Sequence, residues 1–262
     1  MKVALQTNQL SIRGTEVALY DYAHFNEELL NNESYILTKK ISYVNCPSHP
    51  DIINKFKERF KDRLYFYDDI NDMNDFINKK NIEVFYAMKA GNNDGLLSRI
   101  AKNVMHTVFQ YYEPHGHVYA YISEWLAKKM TNGRNPFVPY MVNYPKVEGN
   151  LRKELSIPDD AIVFGRYGGL ETFDISYVHQ AIKNTVSKRN DIYFLFSYTN
   201  KFCDFDSPNI IHIPFISNVE EKMKFVNTCD AMLHARTGGE SFGLAIAEFS
   251  INNKPILTCN NI

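Results

Sequence analysis

The sequence predicts an α/β protein of two doubly wound domains in tandem, each built on a mostly parallel sheet. Three observations carry that prediction. Short apolar runs alternate with longer helix-like segments from end to end, as strands joined by crossover helices do. The alternation breaks between Val138 and Gly149, where Pro139, Pro145 and Gly149 punctuate a segment of neither helical nor strand periodicity. A chain of 262 residues also suits two modest domains, since domains usually run about 100 to 150 residues.

Lys2 to Gln6 reads as the first strand, and Thr15 is placed to cap a helix from about Glu16 to Leu30. Leu19, Tyr22, Ala23, Leu29 and Leu30 share one face of it. Strands follow at Tyr35 to Leu37, Leu64 to Tyr67, Val84 to Ala87, Val104 to Phe109 and Tyr119 to Ile122, with helices in the gaps, including Ser123 to Lys129. The proline-rich break divides the expected domains into 1–143 and 144–262. The pattern then restarts with strand Ile162 to Gly165, helix Ile175 to Val186 and strands Tyr193 to Phe196 and Ile210 to Ile213. Helix Val219 to Asn227, strand Ala231 to His234, helix Gly243 to Ile251 and strand Ile256 to Thr258 complete it. Ile175, Val178, Ile182 and Val186, then Val219, Met223 and Val226, keep helical spacing. Ligands of parallel sheets bind outside the carboxyl ends of the strands, so a cleft between the domains is the expected site.

A hydrophobic fraction of 45%, 23% charged residues and a formal net charge of -1 describe an ordinary globular protein without bias toward nucleic acid or membrane surfaces. Val3-Ala4-Leu5 is too short for a signal-peptide core, and no stretch approaches membrane-spanning length, so a soluble cytoplasmic protein is expected. Cys46, Cys203, Cys229 and Cys259 stand singly and read as reduced thiols, neither zinc ligands nor a disulfide framework. The sequon Asn32-Glu33-Ser34 lacks the secretory context that would use it, and the G-x-G-x-x-G dinucleotide fingerprint is absent.

The most informative segment runs from His234 through Arg236, Gly238, Gly239, Glu240, Phe242 and Gly243 to Glu248. A strand enters a glycine-containing loop, and the loop opens a helix whose first backbone N–H groups can hold an anion such as a diphosphate. Gly243 to Glu248 spans roughly 7 to 8 Å of helical rise, and three extended residues place Glu240 up to about 10 Å to the other side. The two carboxylates can therefore grip both ends of a ligand whose diphosphate rests on the helix start. Leu244 to Ile251 is apolar nearly all round apart from Glu248, and a buried carboxylate needs a hydrogen-bonding partner. Ribose hydroxyls would serve. The plainer alternative is a Glu248 that escapes to solvent and a Glu240 that is an ordinary loop residue.

Glu240 and Glu248 stand as E-x7-E. With Glu240-Ser241-Phe242-Gly243-Leu244, Ala247-Glu248 and Lys254-Pro255-Ile256-Leu257-Thr258, the segment resembles the donor-binding signature of the retaining glycosyltransferases of family 4. Gly14-Thr15-Glu16 resembles that family's first strand-to-helix loop, and Ser123-Glu124-Trp125-Leu126 its serine-headed helix late in the first domain. Pro139 to Asn143 resembles the interdomain segment, and Phe164-Gly165-Arg166 the opening strand of the second domain.

The resemblance implies a GT-B fold of two Rossmann-like domains, with the acceptor mainly on the first and the nucleotide-sugar donor mainly on the second. It implies that Glu240 holds the transferred sugar, that Glu248 holds the ribose, and that the Phe242, Gly243 and Leu244 backbone holds sugar and phosphates. Arg166 would neutralise the leaving diphosphate, as suits a permanently charged fork donor; the plainer but lesser alternative is a surface arginine at a strand end. Gly14 and Arg236 belong to the same candidate set. The expected substrate is a UDP- or GDP-sugar, used without a metal ion or other cofactor, and the acceptor is a glycan, a lipid or a protein.

The chain departs from that family in two places, after Arg166 and at its end. The family follows the arginine with a lysine, which Tyr167 to Phe173 lacks, so Gly168 and Gly169 would supply backbone N–H groups instead. His106 best matches the family's first-domain histidine, with His115 in its turn as a competitor; a lone histidine at a strand end is otherwise structural. The chain also stops soon after its last strand, which suggests a short or truncated second domain. Asp204-Phe205-Asp206 has the D-x-D form used by metal-dependent transferases of a different fold, but it sits far along the chain from the donor loop and reads as a decoy. Three functions fit: a retaining transferase, another GT-B enzyme such as a sugar-nucleotide epimerase or phosphorylase, and a non-catalytic nucleotide-sugar-binding module.

Overall fold

The computed structural model describes residues 1–41 and 47–259. Cys46 lies outside them; Cys203, Cys229 and Cys259 are free thiols. The chain divides into two compact units, Met1–Met141 and Val142–Ile262.

The first unit is a six-stranded sheet of β1 (Lys2–Thr7), β2 (Glu33–Lys39), β3 (Leu64–Tyr67), β4 (Val84–Lys89), β5 (Lys102–Thr107) and β6 (Val118–Tyr121). Every pairing is parallel. The spatial order β3-β2-β1-β4-β5-β6 reverses direction between β1 and β4, and a reversal of this kind opens a crevice at the carboxyl ends of the two strands.

Its helices are α1 (Gly14–Glu28), α2 (Pro50–Phe60), α3 (Ile70–Lys80) and α4 (Glu124–Thr131). Local signals set their ends. Asp69 accepts from the Asn71 and Asp72 amides at the start of α3, Ser123 accepts from the Leu126 amide at the start of α4, and Asn81 and Asn132 end those helices in the left-handed region. The cap expected at Thr15 is corrected. α1 begins two residues earlier, at Gly14, with Arg13 as its N-cap and no side-chain hydrogen bond there. The nearby hydroxyls of Thr7 and Ser11 go instead to the buried Glu16 carboxylate, at 3.0 and 2.7 Å.

The second unit is a five-stranded parallel sheet of β7 (Ile162–Tyr167), β8 (Ile192–Ser197), β9 (Ile210–Ile213), β10 (Ala231–His234) and β11 (Ile256–Thr258). Helices α5 (Ser176–Val186), α6 (Val219–Thr228) and α7 (Leu244–Ile251) join them. Strand β8 shows how both faces are filled. Tyr193 and Leu195 pack with Met223, Phe225, Val226 and Phe249 on one side, while Phe194 and Phe196 pack with Phe173, Ile175 and Ile182 on the other. That is the period-two alternation of a strand covered by helices on both faces. Each fully buried large side chain contributes about 1.5 to 3 kcal/mol.

The order β11-β10-β7-β8-β9 reverses between β7 and β10, so the crevice of this unit lies beyond Tyr167 and His234. Among the described residues no helix is long and apolar enough to cross a membrane.

Candidate functional site at the carboxyl edge of the second sheet

β7 delivers Arg166 to its carboxyl end, where the side chain is only 4% exposed. Its guanidinium donates to Thr199 Oγ1 at 2.5 Å, to Thr172 Oγ1 at 2.5 Å and to the Gly169 carbonyl at 3.4 Å, and it lies 5.4 Å from the centre of the Phe173 ring. Gly168 makes room for it, because a Cβ there would stand 3.1 Å from Arg166 Nη2. All these partners are neutral. Among the described residues no carboxylate forms an ion pair with Arg166, although Glu240, Asp174 and Glu171 act on it from farther off. Burial pushes its pKa down to about 10, which leaves it a cation at neutral pH with no adjacent counter-charge. The surface-arginine alternative does not survive.

The charges of Glu240 and Arg236, in the loop after β10, act on Arg166. There Glu240 takes the Arg236 guanidinium at 3.0 Å and His234 Nε2 at 3.4 Å, while His234 Nδ1 meets Thr258 Oγ1 at 3.0 Å. Burial works to raise the Glu240 pKa, but His234 and Arg236 outweigh it and hold the carboxyl below its ordinary value. Asp174 accepts from the Thr237 amide at 2.8 Å and ties this loop to the one after β7. Phe242 lies in the same loop, and α7 then starts at Leu244. Its N-cap is Gly243, at φ +83°, which offers no side-chain cap to the first turn. Such a start attracts an anion.

Glu248 is 1% exposed, which excludes escape to solvent. In this structure protein groups meet its carboxylate. One oxygen takes the Tyr144 hydroxyl and the Lys222 ammonium, the latter at 3.0 Å, and the other takes the Tyr167 hydroxyl. Lys222 also lies 5.0 Å from the Tyr144 ring centre and 5.3 Å from that of Tyr167. Burial, with the Glu248 charge next, pushes the Tyr167 phenol well above its ordinary pKa and keeps it a donor.

Tyr144, Tyr167, Lys222 and His234 have no assigned part in the sequence reading. For Lys222 a signal existed. It stands three residues after Val219 and four before Val226, so it shares their face of α6, where a lysine is out of place unless it has a partner.

In the first unit His106 is fully buried on β5, with Nδ1 2.6 Å from the Tyr86 hydroxyl and the Tyr22, Tyr86 and Tyr140 rings around it at 5.6, 5.7 and 6.5 Å. Burial pushes its pKa down to about 4, so it is neutral at physiological pH. His115 pins its own turn instead, with Nδ1–H donating to the Glu113 carbonyl at 2.6 Å. Gly14 is exposed at the first residue of α1. Asp204 is paired with Lys183 at 2.9 Å, on the connection between β8 and β9.

Beside Gly14, burial pushes the Glu16 carboxyl from 4.5 up to about 7, more than the Ser11 and Thr7 hydrogen bonds pull it down. The folded state therefore holds this proton more tightly than the unfolded chain. The resulting stability is complete below pH 4.5 and is lost as pH rises to about 7, a fall on the order of 3 kcal/mol. Glu16→Gln is expected to flatten that slope in urea titrations run across the window; an unchanged slope would show that Glu16 is not its source.

No protein-family model and no curated protein matches this sequence. Solved structures do. Anabaena HepE in complex with UDP-glucose superposes with a TM-score of 0.72 at 12% identity, covering 98% of this chain and 80% of that one. WaaG, a glycosyltransferase involved in lipopolysaccharide biosynthesis, gives 0.62 at 11% identity, covering 98% and 80%. A Listeria monocytogenes protein provisionally described as a UDP-N-acetylglucosamine 2-epimerase gives 0.54 at 11%, covering 98% and 78%. The fold class is GT-B. Two mostly parallel α/β sheets of six and five strands are thus both expected from the sequence and found.

Proposed function

We propose that this chain is a glycosyltransferase that takes a sugar from a UDP- or GDP-linked donor and places it on an acceptor hydroxyl with retention of anomeric configuration. The observation that carries the reading is Arg166, a buried cation without an adjacent carboxylate, held at the crevice of the second sheet in the same unit as the uncapped start of α7. A diphosphate supplies the missing negative charge. The family resemblance and the solved structures, one of them holding UDP-glucose, support the choice of ligand.

In the proposed reaction the bond from the anomeric carbon to the diphosphate oxygen breaks as Arg166 and the helix start take up the negative charge. The acceptor oxygen bonds to that carbon from the same face, and its proton passes to the departing diphosphate. Glu240 orients the sugar hydroxyls. Glu248 holds the ribose, for which one of its two phenol partners gives way. Charge neutralisation by Arg166 and backbone N–H groups makes a metal ion unnecessary in this scheme.

Titration calorimetry with UDP, GDP, ADP and their sugars tests it. A UDP or GDP compound is expected to bind with the same affinity in EDTA, and at about a hundred times its dissociation constant to add about 2.7 kcal/mol of stability. Binding abolished by EDTA and restored by manganese would return attention to Asp204 and Asp206. Because the Listeria likeness shows that a related fold can accompany an epimerase description, products are to be identified by NMR. An altered sugar nucleotide formed without acceptor would replace transferase with epimerase.

A further inference from the structure

The loop that follows β5 presents an unusual surface. Phe109, Tyr111 and Tyr112 are 53%, 47% and 47% exposed, three large rings within four residues. They leave the carboxyl edge of the first sheet directly after Thr107, on the strand next to β4, which borders the reversal between β1 and β4.

The loop is not slack. Its Val108 and Phe109 amides donate to the Lys89 and Ala90 carbonyls at 3.1 and 3.2 Å, which extends the β4–β5 pairing past the strand ends. The buried Tyr121 donates its hydroxyl to the Tyr111 carbonyl at 2.9 Å, and the buried Tyr119 donates to the Gly91 carbonyl at 2.6 Å. Gly91, at φ +125°, has no space for a Cβ between Thr107 and Tyr111. The Glu113 carboxylate takes the Asn93 amide at 2.8 Å and joins the loop to the one after β4. Two internal phenols and an inter-loop bond thus hold rigid a stretch whose own aromatic rings are left in water. Rings held ready in this way bind at a smaller entropic cost than rings on a mobile loop.

We infer that Phe109, Tyr111 and Tyr112 form a platform that binds a saccharide acceptor. The inference rests on the glycosyl-transfer reading and names the acceptor class that reading leaves open. A pyranose offers a face of C–H groups that stacks on an aromatic ring and a rim of hydroxyls that needs polar partners. Here the rings supply the stacking face, and Gln110 and Glu113 lie among them in the exposed stretch. The charge pattern disfavours an anionic membrane surface, since residues 108–118 contain no lysine or arginine and one glutamate.

Saturation-transfer NMR tests the platform, with methyl glycosides of glucose, galactose, mannose and N-acetylglucosamine and their disaccharides as probes. Magnetisation is expected to pass from aromatic protons to sugar C–H protons in the wild type. It should be lost in Tyr111→Ala/Tyr112→Ala and kept in Tyr112→Trp, a variant that also guards against simple misfolding. For a sugar that is turned over, the double alanine variant should raise the acceptor KM by about tenfold or more while kcat and the affinity for UDP stay unchanged. The platform is overturned if no probe receives magnetisation, if the alanine variant still transfers it, or if the rings instead mediate binding to phosphatidylcholine–phosphatidylglycerol vesicles. Calorimetry with UDP and GDP on the same samples separates the two readings. Binding of UDP or GDP without saccharide contact removes the platform alone, whereas saccharide contact with binding of neither UDP nor GDP removes the transferase.

Discussion

Arg166→Met is expected to lower turnover by about 100- to 1,000-fold, the scale seen when one preorganised donor to a developing anion is removed. Methionine fills a similar length but carries neither charge nor fork. The same change should leave the unliganded protein as stable as the wild type or more so. The guanidinium sits among the Thr172 and Thr199 hydroxyls and the Gly169 carbonyl without an ion pair among the described residues, and burial has pushed its pKa from 12.5 to about 10. Holding that buried cation without an adjacent counter-charge therefore costs roughly 1 to 3 kcal/mol. Both threonine hydroxyls keep their own acceptors, at 2.9 and 3.1 Å, when the arginine is gone.

Added UDP should then raise the melting temperature of the wild type but not of the variant. Arg166→Lys keeps a charge without the two-pronged geometry and should recover only part of the loss. Equal stabilisation of wild type and Arg166→Met by UDP, with turnover intact, would remove Arg166 from the site.

The second large effect is expected at Glu248. Glu248→Gln leaves the Lys222 ammonium beside two phenols and a neutral amide, in a pair whose side chains are 18% and 2% exposed. Because Lys222 keeps some contact with water, the expected loss of stability is about 2 kcal/mol rather than the full cost of a buried unpaired charge. Lys222→Met added to Glu248→Gln should restore much of that stability. It should not restore nucleotide affinity if the carboxylate holds the ribose. Calorimetry of the single and double variants with UDP therefore separates scaffold from ligand grip.

Glu240→Gln is the contrasting case. It should spare UDP binding and impair the intact donor or its turnover, because its assigned partner is the sugar. If Glu248→Gln melts earlier yet binds UDP as the wild type does, Glu248 is a structural counter-ion and the ribose assignment falls.

Much of the architecture was legible along the chain, because strands and helices are written in local periodicity. Leu64 to Tyr67, Ile210 to Ile213, Ala231 to His234 and Ile256 to Thr258 are strands over the expected residues. The first helix was misread at its start, since a threonine in the first turn is a good capping residue by type. Glu16 took the hydroxyls of Thr7 and Ser11, and that preference is invisible without the three-dimensional turn.

The sequence by itself determined the alternation of strands and helices, the glycine-led entry into α7 and the presence of a lone carboxylate in an apolar helix. All of these depend on residues within a few positions of one another. Only the tertiary structure decided what that carboxylate meets, because Tyr144 and Tyr167 stand 104 and 81 residues from Glu248 and Lys222 stands 26 away. It likewise decided that Arg166 is buried against Thr199, 33 residues on, with neutral partners. The physical reason is the reach of each force. Backbone geometry and amphipathic period act between near neighbours, whereas desolvation and ion pairing depend on which distant segments the sheet order brings to the same carboxyl edge.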